Sequence, residues 1–217
     1  MTTLEDTLRA RLQEPLPGAD VQRRFAPQPA LRSWDPAAHP PDARRAGALV
    51  AIYPGDSGPS IALTLRRSDL RHHGGQISLP GGSVHADETP IDAAIREAHE
   101  EIGLSPGDVR VLGTLSSLWV IVSGFVVWPV IAVADARPAF VPCPNEVDAV
   151  IEAPLSLLRD PAHLRWDRRE RQGVPVWVPY FAVDHHQVWG ATAMMLGEFG
   201  ALFDPTFGPG PRPDHTR

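Results

Sequence analysis

The chain has 217 residues, 43% of them hydrophobic and 21% charged, and its 26 acidic residues outweigh 20 arginines to leave a net charge of -6. Such values fit one globular domain with tails and exclude a fibrous or wholly disordered chain; they also argue against a dedicated nucleic-acid binder, which carries a basic face. A single cysteine, Cys143, rules out an intramolecular disulfide and a multi-cysteine metal site, and the absence of lysine rules out Schiff-base chemistry and a Walker lysine.

The opening MTTLEDTLRARLQEP reads as a short amphipathic helix and not as a basic-then-apolar leader, so a reducing cytoplasmic location is expected. From Pro15 to Asp42 prolines recur in PLPGAD, APQPA and DPAAHPPD, which predicts an irregular surface arm. Strands are expected at GALVAIY and SIALTLR around the turn PGDSGP, then at VRVLGTLSSL, GFVVWPVIAVA, EVDAVIEAPL and PVWVPYFAV. The apolar run from Leu118 to Ala134 is nearly membrane length, but Ser123, Gly124 and Pro129 interrupt it and β-branched residues fill it; two buried strands and no membrane span are expected. Helices are expected at Pro90 to Ile102 and at GATAMMLGEFGALF, His185 and His186 belong to a loop, and DPTFGPGPRPDHTR reads as a mobile tail. The order of elements gives a mixed sheet with few helices packed in layers. Residues 1–43 form the helix and arm, 44–203 the folded domain, and 204–217 the tail.

The stretch Gly81 to Leu104 holds the chemistry. Thr89 suits an N-cap, Pro90 the first helical position, and Asp92 completes a capping-box-like start. Ile91, Ile95, Ala98 and Ile102 share one face, and Gly103 can take the left-handed conformation that ends the helix. Glu97, Glu100 and Glu101 lie at i, i+3 and i+4 on a separate face, an acidic ridge at the negative pole of the helix. Like-charge pairs of this kind cost ~0.2–0.5 kcal/mol each, and the dipole adds to that cost. A hard divalent cation held by oxygens would offset both, which points to magnesium or manganese and not to zinc. A solvated acidic face, helped by pairing of Arg96 with Glu100, is the competing reading.

The spacing settles between them by resemblance. Gly82, Glu88, Arg96, Glu97, Ala98, Glu100, Glu101, Gly103 and Leu104 fill every defined position of the Nudix box: glycine, five residues, glutamate, seven residues, Arg-Glu, a small or aliphatic residue, any residue, Glu-Glu, any residue, glycine, aliphatic. Membership of the Nudix hydrolases implies an α/β/α sandwich with a central mixed β-sheet. It implies Glu97 and Glu101 as direct ligands of Mg2+, or of Mn2+ in its place, with Glu100 direct or through water and the Gly82 carbonyl as a further donor. Arg96 paired with Glu88 is the implied brace for Glu97, and Gly81 and Gly103 are structural. Upstream, ALTLRRSDLRHHGGQISLPGG resembles the additional signature of the coenzyme A pyrophosphatase branch. Leu63, Thr64, Arg66, Arg71, Gly75, Pro80, Gly81 and Gly82 agree with it, whereas Ala62, Arg67 and Leu79 depart. The resemblance runs over about Arg44 to Phe203.

What it implies is attack of water on the diphosphate of coenzyme A or its acyl derivatives, giving 3′,5′-ADP and 4′-phosphopantetheine. Glu97 is the favoured base, and Glu146 is second because other Nudix enzymes use a downstream acid. Arg66, Arg67, Arg71 and His73 form a basic segment able to hold the 3′-phosphate, with a solvated charged loop as the alternative. Two other readings keep the fold: hydrolysis of another nucleoside diphosphate derivative such as ADP-ribose, and a non-catalytic nucleotide- or RNA-binding module, which the complete set of acids opposes. The expected partner is a small-molecule nucleotide, with no nucleic acid and no membrane, and a homodimer is left open.

Overall fold

A computed structural model describes residues 2–30, 34–70, 74–171 and 173–213. In chain order the elements are α1 (Thr2–Leu12), α2 (Gly18–Arg24), β1 (Arg44–Gly55), β2 (Gly58–Arg66), β3 (Ile77–Ser78), β4 (Gly81–Ser83), α3 (Pro90–Ile102), β5 (Val109–Thr114), β6 (Leu118–Val120) and β7 (Phe125–Ala134). They continue with β8 (Val147–Pro154), α4 (Leu155–Leu158), β9 (Leu164–Arg171), β10 (Val174–Val183), β11 (His186–Trp189) and α5 (Gly190–Ala201).

Period-two alternation along β1 builds both cores at once. Ala48, Val50 and Ile52 point to a cluster shared with α1, α2, α5 and β10, whereas Leu49, Ala51 and Tyr53 point to a second cluster under α3. A sheet covered on both faces by helices is the α/β/α sandwich. It is mixed: β1 runs antiparallel to β2 and β4 but parallel to β7, with Gly47 opposite both Gly82 and Trp128. The sheet continues through β7 to β5 and β6, and through β2 to β3 and β8. A separate sheet, β11-β10-β9, closes the α5 side.

The run from Leu118 to Ala134 forms two strands, β6 and β7, and no helix among the described residues is long and apolar enough to cross a membrane. Several expectations give way. The arm is not irregular throughout: α2 forms inside it, Val21, Phe25 and Ala26 are buried, and Gln28 bridges to Trp177 of β10. The segment VRVLGTLSSL divides between β5 and β6, and His186 opens β11 instead of lying in a loop. Where a mobile tail is expected, Phe207 is buried, lying 6.0 Å from the Phe25 ring and 6.2 Å from that of Phe181.

Buried charge also ties the ends together. Glu198 of α5 is fully buried and accepts hydrogen bonds from Gly18 N–H at 3.1 Å, Ser116 N–H at 3.1 Å and Gln22 Nε2 at 2.8 Å. Burial raises its pKa, against the opposing pull of those donors.

Candidate active site

Local chemistry fixes α3 at both ends. Thr89 Oγ1 accepts from Asp92 N–H at 3.2 Å while the Asp92 carboxylate accepts from Thr89 N–H at 2.9 Å, a complete capping box. Gly103 ends the helix at φ 69°, with its N–H donating to the His99 carbonyl at 2.9 Å and Leu104 N–H donating to that of Ala98 at 3.3 Å. The last carbonyls, those of Glu101 and Ile102, accept from Cys143 and Val141 N–H at 2.8 and 2.9 Å. The negative pole is therefore satisfied from the loop that leads to β8.

The helix lies on β1 where side chains are missing. A Cβ on Gly47 would collide with the Pro90 carbonyl oxygen, and one on Gly81 would collide with the Gly47 carbonyl oxygen. A Cβ on Gly82 would strike the Glu97 carboxyl group. Gly82 thus lets a carboxylate pack against backbone, a close approach that only glycine allows.

The face of α3 is drawn differently from the expected stripe. Ala94, Ala98 and Ile102 are buried while Ile91 and Ile95 are partly exposed. Glu101, expected on the ridge, is buried at 3% exposure, and only Glu100 of the three acids is exposed. One Glu101 oxygen accepts from Arg66 Nη1 at 3.1 Å and the other from Gly81 N–H at 3.1 Å. Burial pushes its pKa up to about 7; Gly81 N–H and Arg66 pull it down, and the charges of Glu97 and Glu146 add to the upward push.

Arg96 is the hub of the other acids. Its Nε and Nη2 donate to the two Glu88 oxygens at 2.6 and 3.1 Å, and its Nη1 to Glu97 at 2.9 Å and Glu100 at 3.1 Å. Nη2 also reaches the Ser83 carbonyl at 3.0 Å. Its hydrogen bonds, with that of the His85 N–H behind them, hold Glu88 at about 2. Both pairings expected of Arg96, with Glu88 and with Glu100, occur together.

Alternation along β2 puts Ala62, Thr64 and Arg66 on the α3 side, which is why Arg66 reaches Glu101. Arg67 bonds Asp69 through Nε and Nη2 at 2.9 and 2.7 Å, and the Pro144 carbonyl through Nη1 at 2.7 Å. Arg71 and His73 lie outside the described residues. Glu146 sits exposed in the turn that opens β8, with its carbonyl accepting from Arg67 N–H at 3.0 Å.

The donor chemistry fits a hard divalent cation: carboxylate oxygens of Glu97, Glu100 and Glu101, with Gly82 packed against the Glu97 carboxyl group. Among the described residues no three acidic, histidine or cysteine side chains already converge as a metal group. Glu97 and Glu100 turn to Arg96, and Glu101 turns to Arg66. Gly47 and Ser83 are the contributors that motif spacing misses. A glycine inside a strand is the signal that could have found Gly47, because it often marks a close approach of other backbone.

The NUDIX domain family model matches residues 43–172. Nudix hydrolase 15, mitochondrial, of Arabidopsis thaliana is 37% identical over 163 residues, which is 70% of this chain and 56% of that protein, so the chain spans little more than half of it. The protein named uncharacterized Nudix hydrolase NudL of Klebsiella pneumoniae (strain 342) is 37% identical over 166 residues, 75% of this chain and 84% of its own. Among solved structures, a Nudix hydrolase from M. smegmatis, RenU, aligns over 51% of this chain and 70% of its own, at 29% identity and a TM-score of 0.44.

Proposed function

The chain belongs to the Nudix family of hydrolases, and on that premise we propose that it cleaves the diphosphate of coenzyme A or its acyl derivatives to 3′,5′-ADP and 4′-phosphopantetheine. The reading is supported by the meeting of two sequence signatures on one carboxylate. Glu101, from the Nudix box, is held by Arg66 and by the Gly81 N–H, both from the upstream signature. Leu79, which replaces the phenylalanine of that upstream signature, is buried.

In this reading Glu97, Glu100, Glu101 and the Gly82 carbonyl hold Mg2+, or Mn2+ in its place. A divalent cation there neutralises the diphosphate, whose charge repels an incoming nucleophile. The chain's own residues do the rest. Arg96 fixes Glu97 through a fork anchored on Glu88. Because Glu97 is committed to Arg96 and packed on Gly82, proton abstraction is assigned to Glu146 in place of Glu97. Its carboxylate takes a proton from water, the water oxygen bonds to one phosphorus, and the bridging P–O bond breaks with its electrons left on the departing phosphate. Arg66 and Arg67 are spent on protein partners, so Arg71 and His73 are the residues this reading assigns to the 3′-phosphate.

A panel of coenzyme A, acyl-coenzyme A, dephospho-coenzyme A and ADP-ribose, with products weighed by mass spectrometry in the presence of Mg2+, is the test. Coenzyme A should yield the two products named. Glu101→Gln should lower kcat by more than about 100-fold while substrate still binds, since even outer partners of a metal ligand are worth 10–100-fold. Equal rates on coenzyme A and dephospho-coenzyme A would refute the 3′-phosphate assignment, and turnover of ADP-ribose alone would move the activity to that substrate.

A further inference from the structure

We propose that Arg67 is a positioning residue, which fastens the turn of residues 144–146 to the end of β2 and so aims the Glu146 carboxylate at the last turn of α3. The proposal rests on the assignment of Glu146 as the base and deepens it. Arg67 stands where the coenzyme A signature has a small residue.

One residue grips both ends of a short turn. The Arg67 N–H donates to the Glu146 carbonyl at 3.0 Å, and its guanidinium donates to the Pro144 carbonyl at 2.7 Å. Asp69 occupies the other edge of the guanidinium in a two-point contact, which fixes the plane of the group and therefore the direction of the Pro144 bond. The turn closes on itself through Glu146 and Val147 N–H to the Cys143 carbonyl at 3.1 and 2.9 Å. Its far end is bonded to the helix, with Cys143 N–H donating to the Glu101 carbonyl.

The turn thus hangs between β2 and the end of α3, with Arg67 as the β2 anchor. Val147, next to Glu146, pairs with Arg66, whose side chain reaches Glu101. A register shift between Leu65 and Arg66 lies at this same point, an irregularity of the kind that re-aims side chains beside active sites. To grip a substrate phosphate with the same fork, Arg67 would have to release Asp69 and Pro144.

Steady-state kinetics of the full chain with Mg2+ and coenzyme A, on Arg67→Ala, Arg67→Lys, Glu146→Gln and the Arg67→Ala/Glu146→Gln double variant, decide the matter. Arg67→Ala should lower kcat about 100-fold, the scale of a small misplacement of a reacting group, with KM within about twofold. It should cost nothing further once Glu146 is already glutamine. Arg67→Lys should not restore kcat, because an ammonium lacks the planar fork. A raised KM with kcat retained would overturn the proposal and return Arg67 to the substrate. Amide hydrogen exchange needs no substrate: Arg67→Ala should speed exchange in residues 145–147 and leave α3 slow, and unchanged exchange there would overturn the proposal by itself. If the diphosphate cleaved is another, the same kcat and KM comparison is made on that one. A Glu146→Gln protein with full kcat would remove the base assignment, and the exchange rates would still report whether Arg67 holds the turn.

Discussion

Arg96 illustrates how one side chain can organise several carboxylates that would otherwise repel. Its two edges serve Glu88 and the Glu97/Glu100 pair separately, so part of the repulsion along the ridge is offset from within the helix before any ligand arrives. A pH dependence follows from Glu88, whose folded-state pKa is lowered from 4.5 to about 2. A depressed carboxyl contributes stability that is fully present above its unfolded pKa and is lost as pH falls through the folded one. The gap in Tm between the natural protein and Glu88→Gln should therefore be constant above pH 5 and shrink steadily between about pH 4.5 and 2. A gap independent of pH would show that the ion pair adds no stability. The Arg96 partners were legible from spacing, because i, i+4 contacts and the box pattern are local. The burial of Glu101 was not: its depth is set by Arg66 and Gly81, which come from other parts of the chain.

Among the elements, α3 was the most legible, since its cap, its proline and its terminal glycine each act within a few residues. Its apolar stripe was displaced toward Ala94 because the helix descends onto Gly47, where no side chain keeps it away. Gly47→Ala should cost about 1–3 kcal/mol by overpacking, visible as a lower urea midpoint, with turnover falling as α3 is pushed off the sheet. An unchanged midpoint would mean the helix can slide aside freely. Elements escaped notice where their pattern was masked. The strand β9, LRWDRRER, alternates too much charge to read as buried, β11 is four residues long, and α2 sits among prolines that advertise irregular chain.

For the whole molecule, the layered mixed sheet followed from the order of strands and helices, but its limits did not. Residues read as an opening helix, an arm and a tail complete the core on the α5 side, through Leu8, Val21, Phe25 and Phe207. Those contacts join segments far apart in sequence, and no local pattern encodes them. The buried Glu198 adds a polar counterpart, binding amides from near the start and the middle of the chain. The strand β7 lies between β1 and β5, and β8 lies on β2, so the first and second halves of the polypeptide interleave like the fingers of two hands. The bend between β6 and β7 is a natural place to cut, with Val122 at its tip 74% exposed. A protease site engineered there, once cleaved, should give two pieces that co-elute as one species in gel filtration. Expressed separately, the pieces should restore hydrolysis on mixing, which would make this bend a workable split point for a reporter.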